Sequence, residues 1–184
     1  MTRTIGEIIR SRRSVQEFLP GSAPPVEIIR AAIGHAVWAP NHYLSQPWRF
    51  YLLGPETVER ICLLNSEQVR ARQGSRAADF KLKRWRSIPG WLLLTCALAG
   101  DETRRREDYA ACCCAAQNLM LYLWNEGIGV KWTTGEVTRD EQFFRITGID
   151  PGREQVVGLF WYGKPAQIPE SARLPADQHV IPLP

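Results

Sequence analysis

An α+β layered domain is the fold class this sequence predicts, and three observations carry it. Apolar residues recur at helical spacing in several segments, and three other runs, WRFYLL, WLLLTCAL and QVVGLFWYG, have strand character. The two kinds are mixed along a chain of 184 residues and 20.9 kDa without internal repeat or low-complexity block, so one domain over 1–184 is expected.

The elements follow in order. Thr4 and Glu7 have capping-box spacing, and Ile5, Ile8 and Ile9 make the stripe of a short first helix. Pro20 and Gly21 mark a stop. Pro24 and Pro25 can open a second helix whose apolar face runs from Ile28 to Val37 and ends at Pro40. WRFYLL at 48–53 reads as a core strand, and PETVERICLLNSEQVR returns to helical spacing after Gly54. The basic segment 70–86 is expected to be less regular and partly loop.

WLLLTCAL at 91–98 is nearly uniformly apolar, as a central strand covered on both faces would be, and Gly100 and Asp101 close it. Residues 107–126 form the longest helix, with so little polar surface that several sides need cover, inside the monomer or against a second subunit. GVKWTTGEV reads as extended backbone with a turn, and Thr138 with Glu141 repeats the capping-box spacing before a short helix. QVVGLFWYG at 155–163 is the last strand. The proline-rich tail 165–184 is expected to be an extended arm, packed on another subunit or loose.

Composition narrows the function classes. No apolar stretch reaches the length of a membrane span, so no membrane partner is expected. The opening residues MTRTIGEIIRSRRS show no signal core, which makes a cytoplasmic location the expectation. Five cysteines without C-x-x-C spacing argue against a disulfide framework and a zinc site; Cys112, Cys113 and Cys114 would point about 100° apart on a helix, and core filling is their simplest role. Between Arg70 and Arg86 seven basic residues face one acid, Asp79, a patch suited to a solvated face, a lid or an anionic small molecule. No signature of nucleic-acid recognition accompanies it. The elbow, phosphate-loop, dinucleotide and zinc-helix motifs are all missing from the sequence, and no carboxylate pair stands out.

Four polar groups remain. Arg12, Arg13 and Ser14 put two guanidinium groups and a hydroxyl at a helix terminus, a donor set suited to phosphate. Asn41, His42, Ser45 and Gln46 lie between helix and strand; Pro47 should hold Gln46 extended, and the cluster is either a pocket wall or a locally satisfied loop. Lys131, Trp132, Thr133, Thr134 and Gly135 form a turn that can present N–H groups and hydroxyls, or simply back a core tryptophan. Gly163 and Lys164 leave the last strand with a cation that can meet phosphate or solvent.

RRSVQEF at 12–18, APNHYLSQPWRF at 39–50, GIGVKWTTG at 127–135 and YGKP at 162–165 resemble, in order and spacing, the nitroreductase family of FMN enzymes, in its small single-domain branch. The resemblance implies a three-layer fold with a central mixed, mainly antiparallel sheet flanked by helices, and an intertwined homodimer with active sites at the interface. It implies that Arg12, Arg13 and Ser14 hold the flavin phosphate and ribityl chain, with Lys164 adding charge. His42 of the other subunit would approach the flavin, with Asn41 and Gln46 as neighbours, while Trp132, Thr133 and Thr134 line it. Two departures stand out: Gln16 where many members have arginine, and Trp38 where some small members carry a basic residue.

The implied activity is hydride transfer from NADH or NADPH to flavin N5, then to an electron-poor small molecule such as a nitroaromatic or quinone, by ping-pong exchange at one open site. No catalytic side chain is required for hydride delivery, and none is assigned. The alternatives are a flavoenzyme with a specialised acceptor (enone reductase, dehalogenase or flavin-consuming enzyme) and a non-catalytic flavin-binding protein.

Overall fold

A computed structural model describes residues 3–184; Met1 and Thr2, with which the reading of the N-terminus begins, lie outside the described residues. Helices α1 (Ile5–Ser11) and α2 (Val26–Ala36) precede strand β1 (Trp48–Leu52), then come α3 (Pro55–Gln73), α4 (Ser75–Arg86) and β2 (Gly90–Ala97). The long α5 (Glu102–Asn125), β3 (Gly129–Thr133), α6 (Glu141–Thr147) and β4 (Glu154–Gly163) complete the core. The strands form one sheet in the order β1-β2-β4-β3, and every neighbouring pair is antiparallel. Its parallel component is a single bridge from Ser14 to Val130.

Strand alternation sorts the core into two layers. Leu92, Leu94 and Cys96 of β2 face α2 and α5, whereas Trp91 and Leu93 face the side that carries Ile61, Leu64, Trp85 and Phe143. The result is a three-layer α+β arrangement, helices on both faces of the sheet. Nearly all of β2 is buried, which explains its unbroken apolar sequence. Cys62 packs fully inside, and burial pushes its thiol up to about 12, the behaviour of an inert filler.

The first capping box forms as its spacing predicts, with Glu7 N–H donating to Thr4 Oγ1 and Glu7 accepting from Thr4 N–H. Four expectations need correction. Residues 75–86 are helical: Gly74, at φ 83°, ends α3, and Ala78, Leu82 and Trp85 then supply an apolar stripe too narrow to show among five basic residues. The long helix starts at Glu102, because Asp101 caps it by accepting from Arg104 N–H. Helix α6 is capped by Asp140, which accepts from Gln142 N–H; the Thr138 hydroxyl instead donates back to Gly135 C=O. Gln46 is not extended but sits at φ 43°, its N–H bound to Asn41 Oδ1.

Trp132 shows how tightly the sheet is keyed. Its indole stacks on Phe160 and donates from Nε1 to Val157 C=O, directly over Gly158. A Cβ at position 158 would meet that Nε1 at 2.1 Å, so only glycine leaves room.

Candidate functional site

The N-terminal segment runs along the outer edge of β3. Ser14 bridges Val130, Val15 N–H donates to Val130 C=O, and Phe18 bridges Pro165. Leu19 N–H then donates to Lys164 C=O, and Ala166 N–H to Glu17 C=O. Arg12, Arg13, Ser14 and Lys164 are thus collected at one sheet edge by backbone pairing.

Charge at this edge is unbalanced. Arg12 follows the last turn of α1, half-buried, and its Nη1 is enclosed without a hydrogen-bond partner among the described residues. Burial first, then the nearby charges of Arg173 and Arg13, depress the Arg12 pKa below its ordinary value. Arg13 donates to the carbonyls of Arg10 and Arg12 and shares a cleft of about 470 Å³ with Glu170, Ser171 and Ala172. An orphaned guanidinium N–H among like charges fits a doubly negative phosphate, which accepts several charge-assisted hydrogen bonds at once. Arg173 is the residue sequence reasoning missed: a single arginine in a proline-rich tail carries no local signal. The side chain of Lys164 is exposed, and its backbone N–H donates to Ser22 Oγ.

The polar loop before β1 lies elsewhere. His42 Nδ1 is 2.8 Å from Glu107 Oε2, and its ring stacks on Tyr43 at 4.1 Å. Ser45 donates to the buried Asp108, which also accepts from Arg104. Asn41 is committed locally, donating to Ala39 C=O and accepting from Gln46 N–H. Tyr43, Leu44 and Gln46 all have positive φ, so this is a backbone held in an uncommon shape by side chains anchored to the start of α5. His42 and Gln46 remain exposed at its surface.

The third group divides along β3. Trp132 belongs to the core, while Lys131 and Thr133 face the other side of the sheet. Lys131 Nζ lies over Trp161 and donates to Gln16 Oε1 at 2.6 Å. Thr134 lines a cleft of about 520 Å³ with Tyr109, Arg139 and Glu154. Glu154 accepts from Tyr51 and Thr95, and burial together with that carboxylate raises the Tyr51 pKa.

One chain therefore holds the arginine edge and the histidine loop apart. Ser11, beside Arg12, accepts from Trp124 Nε1 near the end of α5, whereas His42 meets Glu107 near its start. At 1.5 Å per residue those two anchors stand about 26 Å apart along the helix.

Comparison with known proteins decides the family. The nitroreductase family model matches residues 9–164. This chain belongs to the nitroreductase family. The curated protein YfhC of Bacillus subtilis (strain 168), to which an NAD(P)H nitroreductase activity is ascribed by name, is 29% identical over 168 residues, covering 89% of this chain and 86% of that protein. The nitroreductase-like family protein from Bacillus cereus superposes with a TM-score of 0.85 at 29% identity, covering 100% of this chain and 97% of the other. A Desulfovibrio desulfuricans protein solved in complex with FMN has a TM-score of 0.77 at 22% identity, with 100% and 99% covered, and extends the likeness in fold. Within the nitroreductase family the descriptors oxidoreductase and flavoprotein apply.

Proposed function

We propose that this nitroreductase-family chain is an FMN-dependent oxidoreductase that uses NADH or NADPH to reduce an electron-poor small molecule. The observation that carries the reading is the enclosed Nη1 of Arg12, without a hydrogen-bond partner among the described residues and set among Arg13 and Arg173, on the edge that also bears Ser14 and Lys164. These residues would hold the phosphate end. Thr133, at the far end of β3, and Thr134, just beyond it, are the remaining lining candidates from this chain, while Trp132 would support them from beneath. When bound, FMN supplies the hydride-accepting and hydride-donating chemistry. The protein's part is to orient the cofactor and leave one face open to successive ligands.

Placement of His42, with Asn41 and Gln46, away from the arginine edge supports a homodimer in which a partner's loop completes each site. Exposed apolar residues agree with a covered surface: Trp38, Tyr43 and Leu44 near this loop, and Ile181 and Leu183 in the arm, each keep more than three-quarters of their area open in one chain. A stacking Tyr43–His42 pair, braced by Glu107, gives the loop a rigid tip to present. Protons for an acceptor would come from solvent or from His42.

The test is cofactor content followed by turnover. Denaturing the purified protein should release a yellow chromophore with the mass of FMN, and NADH or NADPH should bleach the holoprotein, with an added nitroaromatic or quinone restoring its colour. A colourless protein that takes up no added FMN would sink the reading; a bound flavin that neither nicotinamide reduces would leave a binding protein instead of an enzyme.

A further inference from the structure

The loop before β1 fixes one imidazole ring from several directions. His42 Nδ1 lies 2.8 Å from Glu107 Oε2, and an ionised carboxylate can only accept, so Nδ1 is the nitrogen that carries hydrogen. One face of the ring rests on Tyr43, with centroids 4.1 Å apart and planes 18° from parallel. Arg104 backs this stack: its guanidinium carbon stands 5.9 Å from the Tyr43 centroid, and its Nε is tied to the buried Asp108. Asp108 also accepts from Ser45, so His42 and Ser45, on either side of the turn, are both anchored to the start of α5.

Nε2 is the atom left over. It makes no hydrogen bond among the described residues, and the His42 side chain keeps 48% of its area open. With hydrogen held on Nδ1, the neutral ring offers a lone pair at Nε2, which takes a hydrogen from an O–H or N–H and has nothing to give a phosphate or carbonyl oxygen. The ribityl chain of FMN is a row of hydroxyl donors, whereas its phosphate presents only acceptor oxygens to such an atom.

We propose that Glu107 is a positioning residue that keeps His42 in the Nδ1–H form, so that Nε2 accepts from a ribityl hydroxyl of the flavin held at the partner's arginine edge; the ribityl contact rests on the FMN reading above, the tautomer does not. Two measurements separate these parts. Nitrogen NMR of the purified protein at about pH 9, where an ordinary imidazole is neutral, reads the hydrogen directly, with His42→Gln identifying the His42 signals among the three histidines. The Nδ1–H form is expected in the natural chain and in Glu107→Gln, whose amide oxygen still accepts, and should lose its dominance in Glu107→Leu. Titration then reads the consequence: Glu107→Leu should weaken FMN and riboflavin by the same factor, about fivefold, the weight of one hydrogen bond. Glu107→Gln should stay within about twofold for both, and Glu102→Leu, which breaks the exposed pair with Arg106 on the same helix, should change neither.

An Nε2–H form of His42 in the natural chain would overturn the proposal. So would a Glu107→Gln variant as weak as Glu107→Leu, which would make the charge and not the hydrogen what matters. A loss confined to FMN would set Nε2 against the phosphate and overturn the ribityl contact. If the chain takes up no flavin, the FMN reading falls and the ribityl contact with it, while the NMR result still decides whether Glu107 imposes the tautomer.

Discussion

Arg12 concentrates the proposed chemistry in one side chain. Its enclosed Nη1 has no hydrogen-bond partner among the described residues, and its neighbours Arg13 and Arg173 repel it, so an anion bound there would relieve the group. Arg12→Ala should weaken FMN at least about tenfold, the weight of a lost charge-assisted contact, while riboflavin, which lacks the phosphate, changes little. Side-by-side titrations of both ligands check this, and an equal loss for both would contradict a phosphate role. The donor set at 12–14 read from sequence as two guanidinium groups and a hydroxyl at a helix terminus, and only the resemblance tied it to a flavin phosphate; its place on the edge of β3 comes from the bridge of Ser14 to Val130. Arg173 was not legible, since the tail approaches Arg12 only through tertiary folding. The loop at 41–46 lay in between. Its polar composition marked it, but the positive φ at Gln46 arises from capping by Asn41, which overrides the restriction imposed by Pro47.

At the level of elements, the strands read most clearly. β2 and β4 carry apolar runs that match central strands closely, and β1 follows directly from Pro47. Helix α4 was hidden because its buried stripe is only Ala78, Leu82 and Trp85, and a dense set of basic residues is equally at home in a loop or on a helix. What no sequence period could show is the fit between neighbours, of which Trp132 over Gly158 is the sharpest case. Gly158→Ala should cost about 1–3 kcal/mol by overpacking, because the indole is hydrogen-bonded and stacked and cannot swing away. Urea unfolding followed by circular dichroism measures it. An unchanged midpoint would mean that the indole has room to move.

The whole molecule is organised around α5, which keeps the arginine edge at one end and the histidine loop at the other. A layered α+β domain was foreseeable from the order of helices and strands, whereas the three layers and the assignment of His42 to the other subunit's site came only from the resemblance: nothing local shows that residues 12 and 42 pack near opposite ends of one long helix. In the proposed homodimer each site takes its arginines from one chain and its histidine from the other.

That division makes the two defects mutually curable. A chain carrying Arg12→Ala still offers a sound His42, and a chain carrying His42→Ala still offers a sound Arg12. When the two are unfolded together and refolded, a mixed pair contains one site with both lesions and one with neither. Random pairing puts about half of the pairs in this mixed form, so about a quarter of all sites should regain full FMN affinity. Neither parent alone would show any such fraction, and a mixture that merely averages its parents would place Arg12 and His42 in the same site on the same chain. In the proposed homodimer the α5 rod would thus turn a point lesion into a shared one, and a dead subunit into a donor of the half its partner lacks.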